Sequence, residues 1–183
     1  MNYDNNEIIS IYKSIGSIVA KVDLLLSRKY GHSVNSKLNQ SNFLWNILEN
    51  DCKMNELIQH VIINDNCKST IKNIIKQFND IFKPHEKHLR KSYIIQDIHL
   101  SNLIFQKSTS QTANNEIWTL GFLDYSNSNY NFTIINLAYC ISLSFQEHKN
   151  SNPFEISDSL ITSYNQIYTL SQLEIDCKLI TYF

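Results

Sequence analysis

The stretch from Tyr93 to Asn102 reads YIIQDIHLSN: an apolar run, then a carboxylate at Asp97, then an amide at Asn102. A second carboxylate, Asp124, closes another apolar run in EIWTLGFLD. A strand that stops at an acidic residue holds that group on rigid backbone at the edge of a core, where chemistry is usually staged. The short spacing across a tight loop lets Asp97 meet a substrate hydroxyl as a base while the amide oxygen of Asn102 ligates a hard cation. Asp124 supplies the anionic ligand for that cation. Mg²⁺ takes oxygen ligands and draws only one or two of them from protein, so aspartate, asparagine and aspartate suffice.

Other residues of chemical type give weaker patterns. His85-Glu86-Lys87-His88 has its two histidines one position short of the i, i+4 spacing that a helical zinc pair needs, and Pro84 precedes it, so it reads as a solvated loop. Trp45, Trp118, Tyr125 and Tyr130 have spacings that suit a core as well as a pocket lining. Cys52, Cys67, Cys140 and Cys177 lack any C-x-x-C pair and read as reduced thiols, mostly buried, rather than as zinc ligands or a disulfide framework.

The elements that must position the acidic residues can be read from periodicity. From Glu7 to Tyr30 the residues Ile8, Ile11, Ile15, Ile18, Val19, Val22, Leu25 and Leu26 recur every three or four positions, which predicts an amphipathic helix. A polar loop from Gly31 to Gln40 follows, then a short FLWNIL segment, then helical patterns at Met54 to Ile63 and Ser69 to Phe82, the last ended by Pro84. Tyr93-Ile94-Ile95, Leu103-Ile104-Phe105 and Glu116 to Asp124 read as strands, the last two forming a hairpin with a long, mobile tip. YSNSNYN reads as a polar turn, and helices are expected at Thr133 to Phe145, Phe154 to Tyr168 and from Gln172 onward. That last apolar face runs to Phe183 without a stop signal, which reads as a helix cut from something longer.

Composition excludes several classes. The 183 residues are 43% hydrophobic and 18% charged, enough to bury one sizeable core. Three glycines, Gly16, Gly31 and Gly121, are too scattered for a phosphate-cradling loop of the Walker or dinucleotide-binding kind. A net charge of -1 offers no general attraction to nucleic acid or to anionic membranes. The polar, acidic N-terminus does not resemble a secretory signal, so a cytoplasmic location is expected. The 26 isoleucines and 23 asparagines are a compositional bias without functional meaning.

Taken in order, these motifs resemble the C-terminal lobe of the aminoglycoside phosphotransferase and choline kinase superfamily, whose pattern is H-G-D-x-x-x-x-N followed by a strand ending in D-F-G or D-F-x. Here they read Ile95-Gln96-Asp97 with Asn102, and Asp124-Tyr125-Ser126. Within that superfamily the chain is similar to the hydroxylysine kinases, through NFLWN, NLIFQ, GFLDYSNSNYNFTIINLAYCIS and LITSYNQIYTLSQLEIDCKLI.

The resemblance implies an α+β fold, mainly α: the helical lobe of a protein-kinase-like fold, with a small β-hairpin carrying the active-site loop. It implies transfer of the γ-phosphoryl group of GTP or ATP to 5-hydroxy-L-lysine or another small amino-alcohol. Asp97 falls on the catalytic base, and Asn102 and Asp124 on the Mg²⁺ and nucleotide-binding positions. At His99 the family carries a polar residue without catalytic duty, so His99 reads as a loop histidine. Departures are Ile95 for His, Gln96 for Gly, Ser126 for Gly, Asn127 for an acidic residue, and Asn136 for the Asp that opens the next helix. The lobe that carries the phosphate-binding loop and its Lys–Glu pair is expected to be absent, which would leave this chain alone inactive. A non-catalytic pseudokinase fragment and a helical binding module are the alternative readings.

Overall fold

The computed structural model describes residues 4–30, 64–95, 97–109, 116–126, 128–147 and 152–178. The FLWNIL segment, the helical pattern at Met54 to Ile63, Cys52, Trp45, Gln96, Asn127, the hairpin tip at 110–115 and the residues after 178 lie outside them, as does the side chain of Trp118.

Helix α1 (Asn5–Tyr30) opens with a reciprocal cap: the Glu7 amide donates to Asp4 Oδ1 at 2.8 Å, and the Asp4 amide to Glu7 Oε2 at 3.2 Å. Its buried stripe is Ile8, Ile11, Tyr12, Ile15, Gly16, Val19, Ala20 and Asp23, the three- and four-residue rhythm that lays one face on a core. Helix α2 (Asp65–Ile81) is capped by Asn64, whose side chain accepts from the amides of Asn66 and Cys67. It ends three residues before Pro84, and a 3₁₀ turn, Lys83–His88, takes over with Pro84 at its start. His85 and His88 are exposed on that turn.

Two antiparallel pairs follow. Strand β1 (Lys91–Ile94) pairs with β4 (Asn129–Phe132), with Tyr93 opposite Tyr130 and their rings 5.6 Å apart. Strands β2 (Leu103–Thr109) and β3 (Glu116–Phe122) form the expected hairpin, with Leu103 opposite Phe122. Strand β4 corrects the reading of YSNSNYN as turn throughout. Asparagine is poor in strands, yet Asn129 and Asn131 are buried, with Tyr130 between them packing edge-on against Tyr93 of β1, so pairing and burial outweigh propensity.

Helix α3 (Ile134–Glu147) begins where β4 ends. Helix α4 (Pro153–Asn165) is capped by Asn152, which accepts from the Phe154 amide, with Pro153 in the first turn. It ends three residues before the expected Tyr168. Helix α5 (Gln172–Lys178) starts from a second reciprocal cap, between Ser171 and Glu174.

The core lies where α1, α3 and α4 meet the β1–β4 pair: Val19, Ala20, Ile94, Phe132, Leu137, Ile141, Ile156 and Leu160 are almost wholly inaccessible. Gly16 lies where α1 packs tightly on α4. A Cβ there would stand 2.4 Å from the Leu160 carbonyl oxygen, so only glycine fits. The chain is thus mainly helical with small antiparallel β elements, the α+β class expected.

Candidate active site

The loop between β1 and β2 is pinned from below. Ile95 and Ile98 point into the core, and Asp97 lies between them. That alternation forces a sharp reversal, and Asp97 takes it in the left-handed region, φ 68°. Its carbonyl accepts from the His99 amide at 3.1 Å and from Asn102 Nδ2 at 3.0 Å. Short polar side chains tolerate this backbone better than most, but at a cost of about 1 kcal/mol or more that the surroundings must hold in place.

The Asp97 carboxylate is a quarter exposed. Its Oδ1 accepts from the Tyr139 hydroxyl of α3 at 2.8 Å, and His99 Nε2 stands 3.7 Å from the same oxygen. The other ring nitrogen of His99 is 2.6 Å from Ser101 Oγ. Burial comes first and the hydrogen bond to Asp97 second in pushing the Tyr139 phenol up to about 12, so it stays a donor through the neutral range.

The hairpin reaches the same loop. The Leu123 amide donates to the Asn102 carbonyl at 2.8 Å, extending the β2–β3 pairing by one step, and Asp124 is the next residue. Asp124 also has a left-handed backbone, φ 55°. Among the described residues, Asp97 and Asp124 are the non-glycine residues with positive φ. The positive φ values of this loop and of the strand end thus fall on two acidic residues.

The exposed Asp124 carboxyl lies below the usual range because the Ser126 hydroxyl and amide both donate to it, with His99 nearby as a smaller influence. It is ionised wherever the protein is folded near neutral pH. The Asn102 amide nitrogen is committed to the Asp97 carbonyl, which turns Oδ1 away from that carbonyl. An ionised carboxylate and an amide oxygen are hard donors that suit a cation such as Mg²⁺. No group of three or more His, Cys, Asp and Glu forms a metal cluster among the described residues.

Asp97 and Asn102 therefore touch directly, and the strand-end hydrogen bond brings Asp124 to their side. Two departures from the family pattern gain a physical account. Ile95 anchors the loop by burial. Ser126 does not need left-handed backbone, so no glycine is required there, and its amide and hydroxyl instead hold Asp124. Asn136 is buried in α3 and donates to Asp23 Oδ1 at 2.7 Å.

Tyr125 is exposed, whereas Tyr130 packs edge-on against Tyr93. Cys140 and Cys177 are buried thiols and Cys67 an exposed one. No helix among the described residues is long and apolar enough to cross a membrane. Tyr139 was not legible as a site residue. Its position one turn after Asn136 on α3 was the available signal, but a tyrosine at helical spacing usually reads as core.

Comparison with known proteins gives distant relatives. The chain is 20% identical over 163 residues to hydroxylysine kinase of Xenopus laevis, covering 88% of this chain and 42% of the relative. Over 160 residues it is 21% identical to the hydroxylysine kinase of Bos taurus, covering 87% of this chain and 41% of the relative. The mouse (Mus musculus) hydroxylysine kinase is 19% identical over a similar span. The homology is weak but extends over most of the chain, which spans about two fifths of the length of these relatives. No protein-family model matches, and no solved structure does.

Proposed function

We propose that the chain is the C-terminal, acceptor-binding lobe of a phosphotransferase that moves the γ-phosphoryl group of GTP or ATP to the hydroxyl of 5-hydroxy-L-lysine or a similar small amino-alcohol. Its distant hydroxylysine kinase relatives support a kinase-like phosphotransferase. The observation that carries the reading is the loop geometry: Asp97 and Asp124, both left-handed, are drawn together through the two bonds of Asn102.

In this reading the Asp97 carboxylate accepts the proton of the substrate hydroxyl as its oxygen attacks the γ-phosphorus. The new P–O bond forms as the bond to the β–γ bridging oxygen breaks, and nucleoside diphosphate leaves. Asn102 Oδ1 and the Asp124 carboxylate would hold Mg²⁺, which neutralises charge on the phosphate oxygens when bound. Ser126 keeps Asp124 ionised and oriented for that task.

The test is turnover of 5-hydroxy-L-lysine with Mg²⁺ and GTP or ATP, in a two-lobe protein that joins this chain to a nucleotide-binding lobe and in its Asp97→Asn variant. Phosphorylated product from the wild type, reduced at least 100-fold by the substitution, is the expected result. Absence of product from the wild type under both nucleotides overturns catalysis by this chain. A Mg²⁺-nucleotide that then still raises the melting temperature would leave a binding lobe without turnover.

A further inference from the structure

We infer that Tyr139 is the positioning residue of Asp97, an inference that rests on the phosphotransfer reading above. A left-handed aspartate in a short loop has its backbone fixed by neighbours, but its carboxylate still turns about χ1 and χ2. The backbone of Asp97 is fixed by the His99 amide and the Asn102 side chain, both of which bond its carbonyl. Ile95, two residues earlier, gives the loop burial and has no hydrogen-bonding group on its side chain. His99 stands 3.7 Å from Oδ1, beyond hydrogen-bond range.

The Tyr139 hydroxyl, by contrast, donates to Oδ1 at 2.8 Å, a charge-assisted bond from a different element. Helix α3 makes that donor rigid. Leu137, Cys140 and Ile141 around it are buried, and Asn136, one turn earlier, is tied to Asp23 of α1. The phenol therefore cannot drift with the loop, and it orients the carboxylate from the helical core. Tyr139 touches no reacting atom; it acts through Asp97.

The experiment compares the two-lobe protein with its Tyr139→Phe variant by two readouts. Three-bond couplings of Asp97 report whether its χ1 holds one rotamer, and steady-state kinetics separate kcat from KM. The expected result is one rotamer in the wild type, averaging in Tyr139→Phe, and a kcat lower by roughly 10- to 100-fold with KM for the amino-alcohol nearly unchanged. If the wild type has no turnover, averaging in the variant still upholds the anchoring and the phosphotransfer reading alone falls. Unchanged couplings in Tyr139→Phe, or averaged couplings with an unchanged kcat in an active chain, overturn the inference. Should Tyr139→Phe fail to fold, Tyr139→Leu carries the same comparison.

Discussion

The hydroxyl of Tyr164 in α4 donates to Asp23 Oδ2 of α1 at 2.8 Å, in a site where neither side chain is reached by solvent. Asn136 of α3 donates to the other oxygen, so one carboxyl group joins three helices beneath the candidate site. The pattern of apolar residues on α1 includes no hint of it, since an aspartate on the buried stripe breaks the amphipathic rule.

That carboxyl makes stability depend on pH in an unusual sense. Burial raises the Asp23 pKa to about 7, against the opposing bonds from Tyr164 and Asn136 and the more distant charge of Arg90. The unfolded chain ionises Asp23 near the ordinary value of 3.8. Its contribution is therefore complete below that value and is lost as pH rises towards 7, by on the order of a few kcal/mol. Asp23→Asn should flatten this part of the pH profile. Urea denaturation from pH 4 to pH 8 tests it, and an equal slope in both proteins would contradict the assignment.

Arg90 and Glu174 form the second long-range polar joint. The guanidinium makes a two-pronged contact with Glu174, at 2.7 and 2.5 Å, donates to the Thr169 carbonyl and lies 4.0 Å from the Tyr168 ring centroid. Glu174 is 1% exposed, so removing its partner strands a buried charge. Arg90→Ala should cost about 3 kcal/mol, whereas Arg90→Ala combined with Glu174→Leu should recover much of that loss. Arg90→Lys should not rescue, because an ammonium neither forks nor stacks in the same way. A double-mutant cycle by chemical denaturation measures each term.

The two left-handed aspartates predict a trade between stability and activity. Asp97→Gly relieves a positive φ and should be more stable than Asp97→Ala by about 1 kcal/mol, while both abolish turnover. The same order is expected for Asp124→Gly and Asp124→Ala. Thermal melts rank the four variants, and alanine variants that matched their glycine counterparts would show that the backbone is not strained.

The local elements follow from short-range rules. The isoleucine rhythm of α1, the β2–β3 hairpin and the stop before Pro84 all arise from neighbouring residues. They were accordingly legible in the sequence, with ends within a few residues of those observed. Strand β4 was not. Its asparagines oppose strand formation until β1 is placed beside them.

The candidate site divides along the same line. Residue types and spacing made Asp97, Asn102 and Asp124 candidates, and the family resemblance gave them their expected roles, because a carboxylate or amide beside an apolar run is visible without a fold. Contacts between distant segments decided what those residues meet. Tyr139 reaches Asp97 across 42 positions and Tyr164 reaches Asp23 across 141, and no local periodicity encodes such pairs. Apolar patterning is read from one helix face at a time, whereas a hydrogen bond needs both partners in place. The chain therefore carried its acidic motif in the open, and only the packing of α3 and α4 on α1 set the partners that hold it.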